Sequence, residues 1–272
     1  MPGALLSGCV FAGAGNAIRL RARPGKGSGS AVGPGVRALG LRKNRDAQLY
    51  VPKSVAESGQ SAPFLVYLHG AGGAEQQGIN RLSVFADSLR FVLLSPASEG
   101  RTWDGIREGY GPDVQALDEA LARAFGLCNV DAKRVGVCGF SDGASYALGV
   151  GLANGDLFKS VMAFSPGFIP PPFQPSGTRP RVFISHGTND QILPIETCSR
   201  QLVPALKGEG YRLTYREFTG PHTVPKEITE EALQWFLSWG LMRFFCLDVD
   251  SSMAYGSRLE LCFCLLNQPQ RF

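Results

Sequence analysis

Six short apolar or β-rich runs, Phe64–Leu68, Phe91–Ser95, Arg134–Cys138, Ser160–Phe164, Arg181–Ser185 and Tyr211–Phe218, alternate with stretches of helical spacing. Those stretches cover roughly 79–89, 112–125, 142–153, 196–207 and 225–239. Runs this short and this apolar are strands buried on both faces, and strands joined by helices form a mostly parallel sheet covered on both sides. In open sheets of this kind ligands collect at the carboxyl ends of the strands. Upstream, 17–23 and 48–51 flank a Gly/Pro/Ser-rich stretch and are expected to form an antiparallel edge to the same sheet.

One of the strand-to-helix junctions carries chemistry. Val135 to Cys138 runs into Gly139-Phe140-Ser141-Asp142-Gly143, followed by Ala144-Ser145-Tyr146-Ala147. A Gly-x-Ser-x-Gly pentapeptide at a strand end is the form of a nucleophile elbow, in which a tight turn projects the serine hydroxyl while two glycines permit close backbone approach. A serine nucleophile needs a base to take its proton and an acid to orient the base, and on such a turn the chain order is Ser, acid, His. Only three histidines are present. His69 precedes Ser141, and His186 would leave Asp156 as the sole carboxylate between 143 and 185. His222, in the loop Thr219-Gly220-Pro221-His222 after the last strand, is the expected base. Asp190, in His186-Gly187-Thr188-Asn189-Asp190 just past a strand end, is the expected acid, the lesser alternative being a turn-forming or N-capping role. Glu196, Glu209 and Glu217 fall in helix, turn and strand positions that face elsewhere.

The developing oxyanion needs two backbone N–H groups, one from Asp142 and one from a glycine loop after an early strand. His69-Gly70-Ala71-Gly72-Gly73 is that loop, with Ala71 the first choice and Gly70 and Gly72 the alternatives. A phosphate-binding loop is not indicated, because neither GxxxxGK[ST] nor GxGxxG occurs. His69 itself is expected to be structural, and Asp113 to act as a cap or dipole partner at its helix start. Trp103, Phe140 and Phe168, with Ile169, Phe173 and the proline-rich 166–180, are expected around the substrate pocket. Neither HExxH nor CxxC occurs and the three histidines form no ligand cluster, so no metal is expected.

Taken together, these four motifs in this order resemble the phospholipase/carboxylesterase branch of the α/β-hydrolases and the related polyhydroxybutyrate-depolymerase-like esterases. The resemblance spans about 18–239 and includes Arg101-Thr102-Trp103-Asp104 and Gly111-Pro112-Asp113-Val114. It implies an α/β-hydrolase fold and a cofactor-free serine hydrolase of carboxylic or thioesters, with Ser141, Asp190 and His222 at the matching positions. Residues 1–16 read as an N-terminal extension, 17–239 as the hydrolase domain and 240–272 as an apolar tail outside the resemblance.

Charge narrows the partners. The chain carries +4, but residues 1–45 hold eight Lys or Arg, no acid and one aromatic, Phe11. A nucleic-acid surface would interleave its basic residues with aromatics on a folded face, so a small-molecule ester is the expected partner and nucleic acid is not. Seven scattered cysteines without a framework favour a reducing compartment, such as the cytoplasm, and the acid-free start is compatible with organellar import. No apolar run is long enough to span a membrane.

Overall fold

A computed structural model describes residues 18–25, 32–107 and 109–238. The proposed extension 1–16 and tail 240–272 lie outside them. In chain order the elements are β1 (Gly35–Ala38), β2 (Gln48–Val51), α1 (Lys53–Ser58), β3 (Ala62–Leu68), α2 (Gln76–Leu89), β4 (Val92–Ser95), α3 (Asp104–Arg107) and α4 (Pro112–Leu127). They continue with β5 (Val130–Phe140), α5 (Asp142–Ala153), β6 (Ser160–Phe164), β7 (Arg181–Gly187), α6 (Ser199–Gly208), β8 (Leu213–Phe218) and α7 (Lys226–Leu237).

The strands form a single eight-stranded sheet in the order β1-β2-β4-β3-β5-β6-β7-β8. β1 and β2 pair antiparallel, β2 pairs antiparallel with β4, and every pairing from β4 to β8 is parallel. Side chains alternate across it: Phe64, Val66, Leu68, Val135 and Val137 pack with Ala144, Ala147 and Leu148 of α5 and Leu117 and Leu121 of α4. Leu65, Tyr67, Leu93, Cys138 and Phe183 pack on the other face with Ile79 and Leu82 of α2 and Leu233 and Phe236 of α7. Burial on both faces is why these strands read as continuous apolar runs rather than alternating ones. Among the described residues Cys128, Cys138 and Cys198 are free, buried thiols.

From β3 the chain first steps outward to β4 and then returns to place β5 on β3's other side. This reversal opens a crevice at the carboxyl ends of β3 and β5. Leu68 and Gly139 are paired in register there, so the loops beginning at His69 and Ser141 leave the sheet side by side.

The antiparallel edge is present, but its first strand is Gly35–Ala38 rather than 17–23. Ile18, Leu20 and Ala22 are buried with the period of a strand. Their backbone donors, however, go to helix side chains: Leu20 N–H to Asn154 Oδ1 at 2.9 Å, and Arg21 and Ala22 N–H to Asp118 Oδ1 at 2.7 and 2.8 Å. With those donors taken, the segment lies across α4 and the end of α5 instead of joining a ladder.

Candidate active site

The turn after β5 is as tight as the pentapeptide demands. Ser141 has φ 58° and ψ −123°, a positive-φ conformation that costs a non-glycine residue about 1–3 kcal/mol and persists only where the surroundings enforce it. Those surroundings are backbone: a Cβ on Gly139 would lie 2.2 Å from the Gly143 carbonyl oxygen, and one on Gly143 would lie 2.1 Å from that of Leu68. Side-chain-free residues at both positions let α5 start directly against β3 and β5. The Ser141 side chain thus stands at the crevice, 9% exposed.

Two neighbouring strand ends supply its partners. The loop after β8 brings His222 Nε2 to 2.9 Å from Ser141 Oγ, and the loop after β7 brings Asp190 Oδ2 to 2.6 Å from His222 Nδ1. A carboxylate accepts, so Nδ1 carries the proton and the Nε2 lone pair faces the serine hydroxyl. Asp190 is buried, and its other oxygen accepts from the backbone N–H groups of Ile192 and Leu193 at 2.9 and 2.8 Å. One carboxylate therefore does both jobs considered for it, forming a turn with Oδ1 and orienting a histidine with Oδ2. Burial works against its charge, yet the N–H groups of Leu193, His222 and Ile192 together hold its carboxyl below the ordinary carboxylate range. Glu196 and Glu217 instead bind Arg200, and Asp156 binds Arg19 and Arg23. The Phe140 ring packs on His222 at 4.7 Å between centroids, and the Arg81 guanidinium lies 5.5 Å from the Phe140 centroid.

In the glycine loop after β3 the amides are not equivalent. Gly72 N–H donates to Arg101 O at 2.6 Å and Gly70 N–H to Gln77 Oε1 at 3.2 Å. Both are spent on the protein, which removes these two from the candidate oxyanion donors. Ala71 N–H and Asp142 N–H have no hydrogen-bond partner among the described residues. They belong to the two loops that leave the sheet side by side at the crevice, and Ala71 is exposed.

Residues 112–238 match the model of the phospholipase/carboxylesterase family. That segment, a little under half of the chain, is similar to the family, and the architecture of the described residues is the α/β-hydrolase fold. An acetylxylan esterase from Coprinopsis cinerea is 30% identical over 51% of this chain and 49% of its own length, so the chain spans about half of that curated relative. Among solved structures, a carboxylesterase from Bacillus cereus is 21% identical, covering 71% of this chain and 93% of its own, with a TM-score of 0.56. An S-formylglutathione hydrolase from Agrobacterium tumefaciens is 19% identical over 75% of this chain and 94% of its own, with a TM-score of 0.58. At those identities the likeness is one of fold.

In this fold the residues expected around a pocket separate. Phe140 covers the histidine and Phe168 is 40% exposed on the segment after β6, but Trp103 is 1% exposed and cannot wall an open pocket. Its loop folds back beneath the site: Trp103 Nε1 donates to the His69 carbonyl at 2.8 Å, and the indole stacks on Tyr146 at 5.0 Å. His69 is buried and structural, donating through Nδ1 to Gly70 O at 2.8 Å and accepting from Ser98 N–H at Nε2, 3.0 Å away. Burial pushes its proton affinity down, consistent with a neutral ring. Trp103→Phe should leave the His69 carbonyl without its donor and cost about 1–3 kcal/mol of stability, read as a lowered melting temperature.

Three residues whose contacts the sequence left unassigned complete this support. Thr102 Oγ1 donates to Asp142 Oδ2 at 2.5 Å, linking the loop to the elbow. Asp104 accepts from the N–H groups of Gly111 and Asp113, both at 2.9 Å, and from Tyr146 Oη at 3.1 Å. Asp113, expected as a cap or dipole partner, does lie in the first turn of α4 but makes no cap hydrogen bond; it accepts from the N–H groups of Glu99 and Asp104 at 2.7 and 2.8 Å, and burial raises its carboxyl above the ordinary range. Asp104 and Asp113 lie in Arg101-Thr102-Trp103-Asp104 and Gly111-Pro112-Asp113-Val114, two stretches that carry the family resemblance, but nothing in the sequence shows what the acids bind. Among the described residues no cluster of His, Cys, Asp and Glu is placed to hold a metal ion, and no helix is long and apolar enough to cross a membrane.

Proposed function

We propose that the protein hydrolyses carboxylic esters or thioesters of small to medium acyl groups through an acyl-enzyme on Ser141. The observation that carries this is the continuous relay Ser141 Oγ, His222 Nε2, His222 Nδ1, Asp190 Oδ2, built from three strand ends at one edge of the sheet. Ser141 Oγ attacks the ester carbonyl carbon as His222 Nε2 takes its proton. The N–H groups of Ala71 and Asp142 receive the oxyanion, and each such donor is worth about 2.7–4 kcal/mol in the transition state. The His222 proton then passes to the departing alkoxide or thiolate. Water attacks the acyl-enzyme with the same histidine as base and restores Ser141.

The short segment 165–180 between β6 and β7 leaves little chain for a lid, which favours compact acyl groups over bulk lipid. Acetyl esters deserve a place in the first screen because the Coprinopsis cinerea relative is named an acetylxylan esterase. Across p-nitrophenyl esters, kcat/KM should be highest for acetate to butyrate and fall by about tenfold or more by palmitate. A steady rise to palmitate with a jump at a lipid interface would sink the compact-pocket reading. Peptide amides assayed at equal concentration distinguish a peptidase, and loss of fluorophosphonate labelling on Ser141→Ala distinguishes an enzyme from a binding protein of the same fold.

A further inference from the structure

His186, a second histidine that the relay does not use, sits fully buried near the end of β7, one residue beyond the expected strand end at Ser185, and faces Asp190. Both of its ring nitrogens are engaged. Nδ1 lies 2.6 Å from Ser199 Oγ at the start of α6, and Nε2 lies 2.8 Å from the Leu193 carbonyl oxygen. A carbonyl only accepts, so Nε2 carries the proton and Nδ1 accepts from the Ser199 hydroxyl. Burial disfavours a second proton on the ring.

That fixed N–H has a second neighbour. Nε2 is 3.2 Å from Asp190 Oδ2, the same oxygen that His222 Nδ1 approaches to 2.6 Å. Moreover, Leu193, whose carbonyl His186 holds, donates its own N–H to Asp190 Oδ1. His186 thus acts on the carboxylate twice, once by placing the positive end of an N–H beside Oδ2 and once by holding the 190–193 turn that grips Oδ1.

We propose that His186 is a positioning residue for the reaction, held as the neutral Nε2–H tautomer so that Asp190 presents Oδ2 to His222 in a single geometry. This rests on the assignment of Ser141, His222 and Asp190 as the reacting relay. The other ionisable groups around the ring do not compete for it. Glu217 on β8 pairs with His186 in register, but its carboxylate is bound by Arg200 of α6 at 2.9 and 2.6 Å. Cys198, just before α6, is a thiol whose proton burial helps to retain. His222 faces the ring from across Asp190.

His186→Leu removes the N–H, whereas His186→Gln can return an N–H donor near the Nε2 position. For His186→Leu, kcat should fall about tenfold to a hundredfold, as for loss of a hydrogen bond to a charged group, with KM within about twofold. The acid limb of its kcat/KM profile should move to higher pH, because a carboxylate stripped of this N–H holds the protonated form of the base more tightly. Gln should restore most of kcat and return the limb. In the wild-type protein, ¹⁵N NMR should show His186 with Nε2 protonated, Nδ1 bare and no titration across the active pH range, a test that does not depend on any variant folding. A folded His186→Leu with kcat within twofold of wild type and an unmoved acid limb, or an Nδ1–H tautomer in the wild-type spectrum, would overturn the proposal. Ester turnover by the wild type that Ser141→Ala abolishes is measured alongside. Its absence overturns the relay itself, whereas its presence with unmoved His186 variants overturns only this inference.

Discussion

Ser141→Ala is expected to lower kcat for ester hydrolysis by about a millionfold, the scale seen when a triad serine is removed, while leaving the protein folded. The size follows from the absence of a substitute: His222 Nε2 has the serine hydroxyl as its partner at 2.9 Å, and no other described hydroxyl or thiol is hydrogen-bonded to it. The fold should survive because what holds the turn is not the hydroxyl. Ala144 and Ser145 N–H bond to the Ser141 carbonyl, Ser141 N–H bonds to Phe164 O, and the glycines at 139 and 143 provide the clearance. Alanine keeps all of these and suffers the same positive φ as serine, so the melting temperature should move by no more than a few degrees. Turnover under saturating p-nitrophenyl butyrate and labelling by a fluorophosphonate probe read the same event independently. Ser141→Ala protein that still turned over at a tenth of the wild-type rate, or still took the label, would place the nucleophile elsewhere.

How much of this could be read from the chain depends on whether the deciding contact was local. The strand β6 and helix α5 fall where apolar runs and helical spacing put them, because burial on both faces writes itself directly into residue choice. The geometry of Ser141, His222 and Asp190 was accessible because three histidines and a fixed chain order leave few combinations. The antiparallel edge misled for a physical reason. Ile18, Leu20 and Ala22 have the period of a strand, but whether their N–H groups meet a strand or a side chain is decided by Asp118 and Asn154, about a hundred residues away. The same holds at the glycine loop, where Gly70, Ala71 and Gly72 look interchangeable in sequence. Only the partners Gln77 and Arg101 show which amides are taken. Trp103 lies in a strand-end loop as its position suggests, yet that loop folds under the site, and its indole meets His69 and Tyr146 instead of solvent.

Asp190→Asn should lower kcat by about ten-thousandfold without disturbing the turn that carries it. The asparagine carbonyl can keep the Oδ1 contacts with Ile192 and Leu193 N–H, so the 190–193 turn retains its donors. At the Oδ2 position, however, an NH₂ group would face His222 Nδ1–H, donor against donor at 2.6 Å. The ring escapes by moving its proton to Nε2, which then points an N–H at Ser141 Oγ and can no longer take the serine's proton. Stability should respond with a pH signature of its own. The folded protein holds the Asp190 carboxyl below its ordinary value of 3.8, so the stabilisation from its charged form is fully present above that value and is lost as pH falls below it. Wild type and Asp190→Asn should therefore converge in melting temperature on acidification and separate toward neutrality, wild type the more stable. Kinetics at pH 7 with thermal melts at pH 7 and well below pH 3.8 check both halves. Turnover by Asp190→Asn within tenfold of wild type would require another acid, and Glu196 and Glu217 would have to give up Arg200 to serve.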